Sequence, residues 1–170
     1  MNNRRLARER AVQFLYQLDM NSSKEIEEEL QRFWDVHRAG VYYDDKAKAT
    51  WSSKKKEDLP PPTLQDLASK EFMESLVKGV LEHLGDLDET IAQHAKNWNL
   101  QRMAAVDRNI LRLAVYEIKY RNDIPPVVSI NEAVDIAKKY STEDSGKFVN
   151  GILDKVRGDT LRPSRQSIEE

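Results

Sequence analysis

INEAVDIAKKYSTEDSGKFVNGILDKV, residues 130–156, contains two amphipathic helical patterns joined by a short polar turn. In the first, Ala133, Ile136, Ala137 and Tyr140 recur at the three- and four-residue spacing that places side chains on one face of an α-helix. In the second, Val149, Ile152, Leu153 and Val156 do the same. Neither helix can bury such a stripe alone, so the pair calls for further helices to pack against. Ser129 and Glu132 stand at capping-box spacing and predict the start of the first helix. The turn brings Tyr140, Ser141, Thr142, Asp144, Ser145, Lys147, Phe148 and Asn150 into eleven positions. A simple connection does not require so many groups able to contact a ligand.

The helical period continues toward the N-terminus. Ala7, Ala11, Phe14, Leu15 and Leu18 form one stripe, with Arg4, Arg5 and Arg8 beside its N-terminal end. Ser22 with Glu25 predicts the next start, and Ile26, Leu30, Phe33 and Trp34 its buried face. The pattern dissolves between His37 and Pro62, a segment too short for a core of its own and therefore an inserted loop. Tyr42, Tyr43, Trp51 and the run Lys54 to Lys56 within it either pin the loop to the surface or stack on single-stranded nucleic acid. Thr63 with Asp66 opens a helix whose broad face includes Leu67, Ala68, Met73, Leu76, Val77, Val80, Leu81 and Leu84, the pattern of a central helix. Gly85 is expected to end it, and Asp86 with Glu89 to start a shorter one carrying Leu87, Ile91, Ala95 and Trp98. Met103, Val106, Ile110, Leu113, Ala114 and Ile118 define another, stopped by the prolines of Asp123-Ile124-Pro125-Pro126. Arg162-Pro163 begins a polar tail, 163–170. The reading is an all-α bundle of about seven helices without strands, a single domain over 1–162 with an inserted loop at about 37–62.

Composition narrows the function. The 170 residues suffice for one real core, and the absence of cysteine excludes disulfides and thiolate metal sites, which suits a reducing cytosol. No apolar run approaches a membrane span, and the charged start lacks a signal-peptide core. Lys plus Arg number 27 against 29 Asp plus Glu, a net charge of −2 that argues against indiscriminate coating of nucleic acid but permits one basic face. Arg4, Arg5, Arg8 and Arg10 stand against Glu9 alone in the first ten residues. Cations at a helix N-terminus oppose its macrodipole by about 0.3–1 kcal/mol each, so the cluster suggests an anion outside the protein. Catalytic signatures are missing: the six glycines never cluster into a phosphate loop, and His37, His83 and His94 have no metal-ligand spacing. Neither a cofactor nor a metal is expected. Glu143 and Asp144 have no nucleophile or cofactor cradle beside them, so catalysis is the weaker reading.

Three blocks together resemble the NusB family of bacterial transcription antitermination factors: RRLARERAVQFLY at 4–16, AAVDRNILRLAVYEI at 104–118, and the stretch 130–156. The last is the most specific, because INEAV…AK, an aromatic, and EDS.KFVNG.LDK form a long ordered pattern. The likeness spans the chain outside about 37–62. It implies an all-α fold of two small helical subdomains that binds boxA RNA in leader and ribosomal RNA transcripts. The implied partner is NusE, a small-subunit ribosomal protein, within the transcription elongation complex, and some similar proteins are homodimers. The implied RNA contacts are Arg4, Arg5 and Arg8 from the first helix, with Tyr140, Ser141, Thr142, Asp144, Lys147, Phe148 and Asn150 from the turn. Tyr16, Asp107 and Arg108 match positions that similar proteins present to NusE or near it. Leu6 stands where the family often has a third consecutive arginine.

On physical grounds, arginines and Lys147 neutralise phosphates, whereas Asp144 and Asn150 can read unpaired base edges. Tyr140 offers a stacking face; Phe148 is either a second one or core, and Asn150 either a reader or a helix-packing hydrogen bonder. The arginine helix and the turn are expected to touch and form one composite surface. Helical domains of this type also accompany ribosomal RNA methyltransferases, although this chain leaves no room for a methyl-donor domain. A self-associating helical module is the other alternative.

Overall fold

Residues 105–120 form the helix around which the others are arranged. In the computed structural model, residues 3–47, 60–95, 100 and 102–169 are described, with side chains described outside 40–47 and 161–169. The helices are α1 (Asn3–Met20), α2 (Ile26–Ala47), α3 (Leu64–Glu82), α4 (Leu84–His94), α5 (Ala105–Tyr120), α6 (Pro126–Tyr140) and α7 (Glu143–Glu169), with no strand among the described residues. Ten of the 16 residues of α5 are buried, because Ile110, Leu111, Leu113, Ala114, Val115, Tyr116 and Ile118 make it apolar nearly all round. Such a helix is stable only in an interior, and α5 packs against α1, α3, α4, α6 and α7. Full burial of each large aliphatic side chain stabilises the fold by about 1.5–3 kcal/mol. The group α1–α3 and the group α4–α7 thereby share one continuous core, from Phe14 and Leu30 to Ile136 and Leu153.

The centre is therefore α5 rather than α3. The latter is sandwiched between α1 and α5, but Leu67 at its start is 47% exposed and lies outside the core. One contact fixes the distance between α3 and α5: a Cβ on Gly79 would stand only 2.0 Å from Tyr116 Cζ and 2.2 Å from its hydroxyl oxygen, so only glycine lets that edge of the ring lie on the α3 backbone. Thr63 caps α3 as expected, its Oγ1 accepting from Asp66 N at 3.1 Å while Asp66 accepts from Thr63 N at 2.9 Å. Edge-on packing of Phe33 on Phe14, with centroids 5.4 Å apart, and an ion pair between Lys78 and Glu27 at 3.0 Å hold α2 to its neighbours.

Several boundaries differ from the sequence reading. Glu25 caps α2 with its backbone, accepting from Glu29 N, and the hydroxyl engaged there belongs to Ser23, not Ser22. His83 separates α3 from α4, so Gly85 lies inside α4 instead of ending α3. Pro125 caps α6 four residues before the expected cap at Ser129; Pro126 at the first helical position gives up a donor the helix would not use. Ser129 and Glu132, freed from capping, bond to other helices. The helix α2 continues to Ala47, past the fading of its apolar period at His37, and α7 continues through Pro163 to Glu169. Once nucleated, a helix propagates at one hydrogen bond per residue without needing a buried face. Trp51, the lysines 54–56 and Trp98 lie outside the described residues. No helix is long and apolar enough to cross a membrane among the described residues.

Candidate nucleic-acid interface

Side chains of α1 reach α6 at three successive turns, from Arg5 to Gln13. Arg5 donates from Nε to Glu132 at 2.7 Å and from Nη2 to Asp135 at 2.8 Å. Further along, Lys139 meets Glu9 at 2.7 Å, and Gln13 Nε2 donates to the Tyr140 hydroxyl at 3.2 Å. The turn after Tyr140 therefore lies beside Gln13, about 12 Å along α1 from Arg5 at 1.5 Å per residue. The expected direct contact of Arg5 with the turn is replaced by a surface on which α6 stands between them.

The arginines have different fates. Arg4 is exposed, with its guanidinium 4.7 Å above the Phe72 ring. Arg5 keeps 44% of its side chain exposed while bridging the two carboxylates. Arg8 is only 3% exposed and forms a two-pronged ion pair with Glu117 at 2.9–3.2 Å, so it is no phosphate contact on this surface. The anions that offset the N-terminal macrodipole of α1 are to this extent internal, on α5 and α6, and the inference of a wholly external anion is corrected.

The turn is held by its own hydroxyls. Thr142 caps α7, its Oγ1 accepting from Ser145 N at 3.0 Å. Ser141 Oγ lies 2.8 Å from Ser145 Oγ, which donates to Asp107 at 3.1 Å. Ser141 and Thr142 thus shape the turn while remaining exposed. Tyr140 is 39% exposed, and burial of the rest pushes its phenol above the usual range. Asp144, Lys147 and Asn150 are exposed on the first turns of α7, and Phe148 is half-buried against the core. Asn150 is exposed and is not packed between helices.

The three residues matched to the partner face separate as well. Tyr16 is 39% exposed, with Met20 one turn later 60% exposed. Asp107 is buried beneath the turn, and burial raises its carboxyl pKa in spite of the bonds from Ser145 and Ser141. Arg108 reaches Asp19 at 2.6 Å and Leu100 O at 3.1 Å. Arg112 joins the network at 3.4 Å from Asp19 and 2.7 Å from Asp88. Burial alone would push Asp19 up, but the bonds from Arg108 and Asn109 and the charge of Arg112 hold it below the usual carboxylate range. This network clamps the C-terminal end of α1 to α5 and α4; the sequence reading missed Asp19, whose acidic type carried no spacing signal. No group of three or more metal-ligating residues occurs among the described residues.

The chain is similar to known proteins over nearly its whole length. The NusB family model matches residues 5–157. A transcription antitermination protein NusB of Methylacidiphilum infernorum is 45% identical over 167 residues, 98% of this chain and 99% of that protein. The structure of T. maritima NusB is similar with a TM-score of 0.69 and 30% identity, covering 96% of each chain. A crystal structure of antitermination factors NusB and NusE in complex with double-stranded RNA contains a chain similar at a TM-score of 0.65 and 25% identity, covering 94% of this chain and 98% of that one.

Proposed function

The chain belongs to the NusB family, and from that premise we propose that it is a non-enzymatic transcription antitermination factor that holds boxA-type single-stranded RNA jointly with NusE in the elongating transcription complex. The observation that carries the reading is the exposed start of α7, where Asp144, Lys147 and Asn150 stand beside the aromatic Tyr140. Lys147 and Arg4 neutralise phosphates, Asp144 and Asn150 address base edges, and Tyr140, with the exposed part of Phe148, offers stacking. One stacked base on such a ring contributes about 1–3 kcal/mol. Tyr16 and Met20, on the exposed face of α1 beyond Gln13, are the apolar anchor for NusE, while Arg108 steadies that end of α1 through Asp19 and Asp107 steadies the neighbouring turn through Ser145.

The test is a binding titration of boxA-like against scrambled RNA, with and without NusE. The expected result is modest affinity for the protein alone and a clear preference for the boxA-like sequence once NusE is present. Equal affinity for the two RNAs with NusE present would reduce the surface to a generic anion site and overturn the reading. Light scattering on the same samples reads whether a homodimer gives way to the complex.

A further inference from the structure

One strip of α6 touches both halves of the proposed RNA surface. Val128, Asn131, Asp135 and Lys138 recur at i, i+3, i+7 and i+10, and all four are exposed. Asp135 accepts from Arg5 of α1 at 2.8 Å. One turn on, Lys138 lays its aliphatic stem across Gly146 of α7, where an added Cβ would stand 2.9 Å from its Cγ. Gly146 directly precedes Lys147. The neighbouring Lys139 is committed to Glu9, whereas the Lys138 ammonium has no hydrogen bond or ion pair among the described residues. Arg5, Lys138 and Lys147 therefore follow one another across α1, α6 and α7, with the exposed carboxylate of Asp135 on Arg5 and those of Glu143 and Asp144 on the turn of α7 before Lys147.

We propose that this strip is the floor on which the RNA backbone crosses from Arg5 to Lys147, with Lys138 binding a phosphate and Asp135 competing with phosphate for Arg5. The inference rests on the reading of this surface as RNA-binding. Its chemistry lies in the unequal exposure of the two carboxylates on Arg5. Glu132 is 10% exposed and holds Nε and Nη2, whereas Asp135 is 50% exposed and holds Nη2 alone. A solvent-screened pair of the second kind is weak and exchangeable. Phosphate can take the place of Asp135 on Nη2 while Glu132 keeps the guanidinium oriented. Because phosphate contacts carry no sequence information, Asp135 weakens all RNAs alike and leaves selection to the base-reading groups on α7.

The experiment titrates a short boxA-like RNA against the full chain and its Asp135→Asn, Lys138→Gln and Lys147→Gln variants, between about 50 and 200 mM salt. Circular dichroism confirms that each variant is folded, as expected for exposed positions. Lys138→Gln should flatten the log–log salt slope by about 0.7, equivalent to roughly fivefold in affinity per decade of salt. Asp135→Asn should bind more tightly than wild type and steepen the slope. A Lys138→Gln variant with the wild-type slope, or an Asp135→Asn variant that binds no more tightly, overturns the proposal. If Lys147→Gln weakens binding while both α6 variants behave as wild type, the strip is wrong and the RNA surface stands. If the wild type binds no RNA with or without NusE, the functional reading falls and takes the strip with it.

Discussion

Asp107 is in the first turn of α5, with one carboxylate oxygen bound by Ser145 and the other, Oδ1, buried without a hydrogen-bond partner among the described residues. Burial raises its pKa above the ordinary aspartate value. The folded chain then holds this proton more tightly than the unfolded chain, so ionisation at neutral pH opposes folding. The opposition fades as pH falls through the raised folded pKa, and is gone below the unfolded value of about 3.9. Urea unfolding of wild type and Asp107→Asn should therefore show wild type gaining relative stability between neutral pH and about pH 4. A gap independent of pH would refute the assignment. Sequence reading singled out Asp107 as a surface contact; its burial depends on the turn folding over it, which no spacing reveals.

At the scale of the helix, Gly79 and Tyr116 decide how closely α3 approaches α5. Gly79→Ala forces the ring or the helix to move, and overpacking of this kind costs about 1–3 kcal/mol. Urea unfolding should show a loss in that range, partly restored in a Gly79→Ala, Tyr116→Leu double variant, whereas Gly85→Ala, with open space around it, should cost nothing. A Gly79→Ala protein as stable as wild type would mean that the ring has another place to go. The apolar stripes of α1, α5, α6 and α7 were legible because each follows from a local period. Helix starts were less so. Thr63/Asp66 and Ser129/Glu132 have the same spacing, but only the first pair caps a helix. At the second, Pro126 had already begun α6, leaving Ser129 to bond Glu117 and Glu132 to bond Arg5.

Across the whole molecule, Arg8, Glu117 and Ser129 tie α1, α5 and α6 together in the interior. Arg8 donates to both oxygens of Glu117, and the Ser129 hydroxyl adds a bond at 3.0 Å. Removing one member of a buried pair strands the other charge and costs about 3–5 kcal/mol. Arg8→Ala should lose that much in urea unfolding, and Arg8→Met with Glu117→Leu should recover most of it. Where Arg8→Ala remains folded, its RNA salt slope should match wild type, while Arg4→Ala flattens the slope by about 0.7. A flattened slope for Arg8→Ala would return this residue to the RNA surface.

The 130–156 stretch and the two blocks resembling NusB determined an all-α chain, its main buried faces and the exposed groups at the start of α7, because helical period and residue chemistry are local properties written into consecutive positions. Only the tertiary structure decided which charges were available to a ligand. Arg4, Arg5 and Arg8 look alike in sequence, yet one lies over an aromatic ring, one bridges two carboxylates at the surface, and one is buried on Glu117. Those partners lie more than a hundred residues away for Arg5 and Arg8, and helix packing alone brings them together. The same packing set α6 between the arginine end of α1 and the turn before α7, making Asp135 and Lys138 part of the surface.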